Sequence, residues 1–401
     1  MSVRLKETAD LVTSCVASGE RPFVALEHLE SGTGRLTADI ELPECTAPET
    51  GAASVEPGDV LFGKLRPYLA KTWLADRPAF ASTELLCLRP RAGVDSRWLA
   101  YLVASNPVVK WAVATSDGTK MPRTSWERLA EYRIGIPPIA EQRAIADYLD
   151  RETARIDALI EAEQRRVALS EARLVAETQG EVVGRIDTEP RQNDPTGPLL
   201  PIPEGWSLRR NKTFLREVVD LSEDGSEDLL TVSHLTGVTP RAEKEVTMFL
   251  AESNVGYKRV RPNDVVVNTM WAWMGALGVS NHYGIVSPAY GVYRFSDSDA
   301  DPLYFDALVR SPAYVEEMTR YSKGVWTSRL RLYPESFLSL RSPFPPADAQ
   351  RKIAQRVRVM QRDTGRVSWL LGRSVELLQE RRRALITAAV TGGLEIPGVA
   401  A

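Results

Sequence analysis

Three runs of this chain combine residues that could hold and read a nucleic acid. The first, LFGKLRPYLAKTWLADR, sets Lys64, Arg66, Lys71 and Arg77 around Tyr68 and Trp73, against a single acid, Asp76. The second, VVNTMWAWMGALGVSNHYG, clusters Asn268, Trp271, Trp273 and Asn281 with glycines. The third, RYSKGVWTSRLRLYPESFLSLR, carries Arg320, Lys323, Arg329, Arg331 and Arg341 against Glu335. Cations hold phosphates, amides read base edges, and glycines allow close backbone approach. Lys120 and Arg123, in the polar loop after Gly118, are counted with the first run. The candidate DNA-binding set is therefore Lys64, Arg66, Tyr68, Lys71, Lys120, Arg123, Asn268, Trp271, Trp273, Lys323, Arg329 and Arg331. The plain alternative is that both tryptophans are core aromatics and the basic runs are solvated faces.

Motifs for catalysis are missing. There is no GxxxxGK[ST] or GxGxxG loop, no HExxH and no GxSxG elbow. The 3 histidines, His28, His234 and His282, stand far apart, and no acidic spacing points to a nuclease or glycosidase pair. No metal or cofactor is expected in this chain.

With 401 residues, 43% hydrophobic and 26% charged, the chain suits two or three globular domains. A net charge of −3 gives no bulk sign of nucleic-acid binding, so any such site must be a local basic face. The 3 cysteines (Cys15, Cys45, Cys87) lack CxxC spacing and suit a reducing compartment. No apolar signal core opens the chain and no stretch is long enough to span a bilayer, so a cytoplasmic protein is expected.

The elements that must position the candidate residues come in two copies. IPPIAEQRAIADYLD (Ile136 to Asp150) is echoed by FPPADAQRKIAQRV (Phe344 to Val357), with Gln142 and Gln350 208 apart. Upstream, VEPGDVLF is echoed by VRPNDVVV, with Asp59 and Asp264 205 apart. Ser82 and Ser287, Arg89 and Arg294, and Pro107 and Pro312 keep the offset of 205. Such matches in order mark a duplicated unit. The Pro-Gly-Asp and Pro-Asn-Asp turns each lead into a buried strand, and each diproline is a rigid corner before a long helix.

The helices carry apolar residues at heptad spacing. In the first these are Leu149, Ile156, Ile160, Val167 and Leu174, and in the second Ile353, Val357, Met360, Val367, Leu371 and Leu378. At 1.5 Å per residue each helix reaches about 60 Å, beyond a small domain, so pairing of the two is expected. Between the repeats, DTEPRQNDPTGPLLPIPEGW reads as a linker. The expected boundaries are 1–138, a first target domain; 139–183, a helix; 184–203, the linker; 204–346, a second target domain; 347–391, a helix; and 392–401, a tail. The expected fold is α+β, with two tandem mixed α/β domains and two long helices.

GDVLFGKLRPYLAKTWLA, IPPIAEQRAIADYLDRETARIDALI and LQERRRALITAAVTGGLEI closely resemble type I restriction–modification specificity subunits, as does the order of domain, helix, domain, helix. The resemblance implies a non-catalytic subunit whose two target recognition domains each read half of a bipartite double-stranded DNA sequence. It implies that the helices pair as an antiparallel coiled coil, separate the domains and dock two methyltransferase subunits. Restriction/translocase subunits would complete the complex, and the partners would use S-adenosylmethionine, ATP and magnesium. Two departures stand out: Ala349 replaces the Glu141 of the first corner, and Met1 falls where Trp206 would map, which puts the stability of the first domain in question. A different class of function stays open, a coiled-coil scaffold whose globular domains bind proteins.

Overall fold

The structure is a computed structural model that describes residues 2–13, 19–37, 41–46, 52–184, 199, 202–243, 253–324 and 330–397. It is α+β and divides into two units, Met1–Arg165 with Leu371–Ala401, and Arg166–Leu370. The first unit holds an antiparallel sheet in the order Ala9–Leu11, Leu85–Pro90, Val60–Gly63, Thr72–Leu74. The second holds its counterpart in the same order: Leu215–Glu217, Gly291–Phe295, Val265–Val267, Leu277–Val279. Short pairings between Ser2–Arg4 and Arg133–Gly135, and between Ser207–Arg210 and Arg341–Phe344, also correspond. The first unit adds a sheet of Glu44–Cys45, Arg21–Val24, Ala79–Ala81 and Ala53–Val55, with one parallel pairing.

The duplicated aspartates hold the turns that feed the central strands. Buried Asp59 accepts the Glu56 N–H at 2.8 Å and a fork from Arg89 at 2.8 and 2.7 Å. Asp264 repeats this with the Arg261 N–H at 2.9 Å and Arg294 at 2.7 Å twice. A buried carboxylate is tolerated only when paired in this way, which explains why Asp and Arg recur together. Between them the turn needs a left-handed residue, met by Gly58 at φ 94° and Asn263 at φ 72°.

The duplicated glutamines answer a different need. Each long helix starts on a proline carbonyl: Pro138 accepts from the N–H groups of Glu141 and Gln142, and Pro346 from those of Ala349 and Gln350. Gln142 is fully buried, accepts the Asp95 N–H at 2.8 Å, and donates to the carbonyls of Gly93 at 3.1 Å and Pro137 at 2.9 Å. Gln350 does the same with Asp301 (2.8 Å), Asp299 (3.1 Å) and Pro345 (2.8 Å). Asp95 and Asp301 in turn cap the helices Ser96–Ala104 and Pro302–Val309. The glutamine is thus a clasp between the start of a long helix and the domain that precedes it.

The long helices are Ile139–Val183 and Ala347–Val390. Each is free of proline, and each ends at a left-handed glycine, Gly184 or Gly392. In the first unit, Ile145, Ala146 and Leu149 from the start of one helix share a core with Ile386, Ala389 and Val390 from the end of the other. In the second unit, Val182 and Val183 share a core with Ile353, Ala354 and Val357. Within each unit the helix segments therefore run antiparallel, joined by Asp157–Arg382 in one and Glu181–Arg356 in the other.

Of the seam residues, Leu149, Ile156, Ile353, Val357 and Leu371 are buried. Ile160, Val167, Leu174, Met360 and Leu378 are half-buried. Leu149, Ile353 and Val357 pack into domain cores, so the stripe is shared between domain and helix and is not purely a coiled-coil seam. Val367 departs from the expectation. It is 42% exposed.

Candidate nucleic-acid interface

In the first unit the residues after strand Val60–Gly63 form a loop that closes through Gly63 N–H to the Lys71 carbonyl at 2.9 Å. Two non-glycine residues in it are left-handed, Arg66 at φ 49° and Ala70 at φ 46°. Each such conformation costs on the order of 1–3 kcal/mol and persists only where the surroundings impose it. A second loop supplies the constraint: Arg66 N–H donates to the Pro122 carbonyl at 2.7 Å, and Thr124 N–H to that of Lys64 at 3.0 Å. The second loop is itself closed by reciprocal bonds between Asp117 and Arg123 at 3.0 and 2.9 Å.

The paired loops present Arg66, Lys120 and Arg123 to solvent, with Tyr68 53% exposed and Met121 beside them. Arg123 also pairs with Glu84 at 2.8 Å. Lys64 and Lys71 have other engagements. The Lys64 ammonium donates to the Thr83 carbonyl at 2.7 Å and that of Lys71 to the Leu26 carbonyl at 3.0 Å. Burial, assisted by the charge of Arg123, pushes the Lys64 pKa below its ordinary value.

The second unit rebuilds the other pairings of this frame in different residues, while Trp271 N–H, at the place of Arg66, donates to the Asn268 carbonyl at 3.0 Å. Asn268 N–H donates to the Ala276 carbonyl at 3.0 Å, Leu332 N–H to that of Thr269 at 3.0 Å, and Lys323 and Arg331 exchange bonds at 2.9 Å. Gly275, at φ 85°, stands where Ala70 stands in the first unit, 205 residues earlier. Trp271 is 50% exposed and stacks on half-buried Trp273, with centroids 6.1 Å apart and rings 17° from parallel. Trp273 Nε1 donates to the Met270 carbonyl at 3.1 Å.

Asn268 is only 6% exposed, and its amide is committed to the loop. It donates to the Tyr290 hydroxyl at 3.1 Å and accepts from Met270 N–H at 3.3 Å. Lys323 and Arg331 are exposed, the Lys323 ammonium lying 6.0 Å from the ring centre of Tyr333. Arg329 lies outside the described residues. Tyr321 and Tyr333 add exposed rings that the sequence reading did not single out. The third basic run held both, but nothing in its local pattern sets a surface tyrosine apart from a core one.

Residues 36–168 match the family model described as type I restriction modification DNA specificity domain. The E. coli protein named Type I restriction enzyme EcoDI specificity subunit is 24% identical over 164 residues, which are 39% of this chain and 35% of that protein. In this region the chain is thus similar to type I specificity subunits. It spans about a third of the length of the curated relative it matches.

Two solved structures share this chain's fold over nearly its full length. The HsdS subunit from Thermoanaerobacter tengcongensis is 18% identical, covers 98% of this chain and 97% of its own, and has a TM-score of 0.53. A structure titled "Structural basis underlying complex assembly and conformational transition of the type I R-M system" is 18% identical over 98% of each chain, with a TM-score of 0.69. Among the described residues no cluster of His, Cys, Asp or Glu could hold a metal. Nor is any helix there long and apolar enough to cross a membrane.

Proposed function

We propose that the chain is the non-catalytic DNA-reading subunit of a type I restriction–modification complex, each unit reading one half of a bipartite double-stranded sequence. The observation that carries the reading is the loop pair built twice with three corresponding backbone pairings, exposing Arg66, Tyr68, Lys120 and Arg123 in one unit and Trp271, Lys323 and Arg331 in the other. Cations at such a surface neutralise phosphates, and the side chains between them reach base edges. Trp273 supports the ring of Trp271, and Asn268, Lys64 and Lys71 hold the loops that present the rest. The long helices set the distance between half-sites and dock two methyltransferase subunits, with restriction/translocase subunits joining them. S-adenosylmethionine, ATP and magnesium are used by those partners in the cytoplasm.

The test is selection of duplexes from a randomised library at two salt concentrations. Two short conserved blocks separated by an unread gap, bound more weakly as salt rises, are expected. Enrichment of no sequence, with binding indifferent to salt, would instead favour a protein-binding scaffold.

A further inference from the structure

The shared frame places different chemistry at equivalent points. Residue 66 in the first unit and residue 271 in the second follow the same closing bond, precede the same short 3-10 turn and lie 205 apart. At that point one loop carries a guanidinium and the other an indole. Tyr68 and Trp273, also 205 apart, continue the contrast, since Trp273 stacks under Trp271 and stiffens it. Trp271 is 50% exposed, and a stacked pair of indoles loses little freedom when it meets a flat apolar partner.

We infer that the two half-sites are read by different forces, the first through the Arg66 cation and the second through apolar contact of the Trp271 ring with a base. This rests on the proposed DNA-reading function and refines it. A cation at a phosphate or guanine edge adds to counterion release, whereas an indole against a thymine methyl or an opened base step releases none. The two positions therefore differ in salt dependence as well as in sequence.

The experiment uses the full-length chain carrying Arg66→Ala, Trp271→Ala, Trp271→Phe or Trp271→Lys, with library selection and binding measured across salt concentrations. Arg66→Ala is expected to lower the slope of log affinity against log salt by about 0.9. Trp271→Ala is expected to weaken binding on the order of tenfold and blur one block only, with the slope unchanged. Trp271→Phe should keep the preference. Trp271→Lys should lose it while raising the slope by about 0.9, a pair of outcomes that loss of folding cannot mimic. Unaltered selection by Trp271→Ala, or a slope reduced as in Arg66→Ala, overturns the inference while leaving bipartite reading intact. If the unmutated chain selects no sequence, the DNA-reading function falls and this inference with it.

Discussion

Arg382 is the sharpest place to perturb the first unit. It comes from the second long helix, and its side chain is only 7% exposed. Its Nε donates to Asp157 at 2.9 Å, Nη1 to the Gly32 carbonyl at 2.8 Å and Nη2 to the Thr33 carbonyl at 2.7 Å. One guanidinium thus ties both helices to a turn of the globular part. Arg382→Met keeps the apolar stem of the side chain but removes the guanidinium and strands three acceptors. Asp157 retains Arg35 at 2.9 Å, so its charge is not wholly orphaned. Breaking a buried pair costs about 3–5 kcal/mol, and the surviving Arg35 contact argues for the low end, about 3 kcal/mol. For a unit of this size that lowers its melting temperature by roughly 6–12 °C. It also speeds hydrogen exchange across 139–165 and 371–390 about a hundredfold, where exchange follows opening of the unit. Calorimetry and exchange mass spectrometry read the two quantities. The double variant Arg382→Met with Asp157→Leu should recover much of the loss, because it removes the buried charge as well. A single variant within about 1 kcal/mol of the parent, with unchanged exchange, would refute the argument.

Three further outcomes follow from the same physical chemistry. Gln350→Ala leaves the Asp301 N–H and the carbonyls of Asp299 and Pro345 without their partner, and should cost about 2–4 kcal/mol by denaturant titration. Gly365 and Gly372 lie in an exposed helix interior where an added Cβ meets nothing within 4 Å, so Gly365→Ala and Gly372→Ala should each stabilise by about 0.5–1 kcal/mol in the same assay. Hydrogen bonds from Arg259 and Ser222 hold the Glu227 pKa down at about 2. Its contribution to stability is therefore full above the ordinary carboxylate range near pH 4.5 and is lost as pH falls through about 2, which carboxyl NMR titration of Glu227 would follow.

Much of this organisation was legible in the residues, for identifiable reasons. The turns at Asp59 and Asp264 announce their strands because proline and a left-handed residue leave the chain few alternatives. The phrases that resemble type I specificity subunits, and their order, carried the fold class. What could not be read depends on contacts distant in sequence. Gln142 and Gln350 look like polar residues at an exposed corner, and only the Asp95 and Asp301 loops make them buried clasps. Val182, Val183, Ile386 and Val390 look like helix ends, yet antiparallel packing makes them core. That the Lys64 and Lys71 ammonium groups donate to the carbonyls of Thr83 and Leu26 could not be read from the basic run itself. The equivalence of Arg66 and Trp271 was present as an offset of 205, but its meaning required the shared loop frame.

The central proposal, that the long helices set the spacing between two half-sites, is tested most directly by shortening them. Removing one heptad from the middle of each long helix keeps the apolar stripe and takes about 10 Å from each, at 1.5 Å per residue. That equals about three base pairs at ~3.4 Å each. Selection from duplexes whose spacer length is randomised should return the same two half-sites at a spacing about three base pairs shorter, with the original spacing bound poorly. Selection of the original spacing at full affinity would contradict the account.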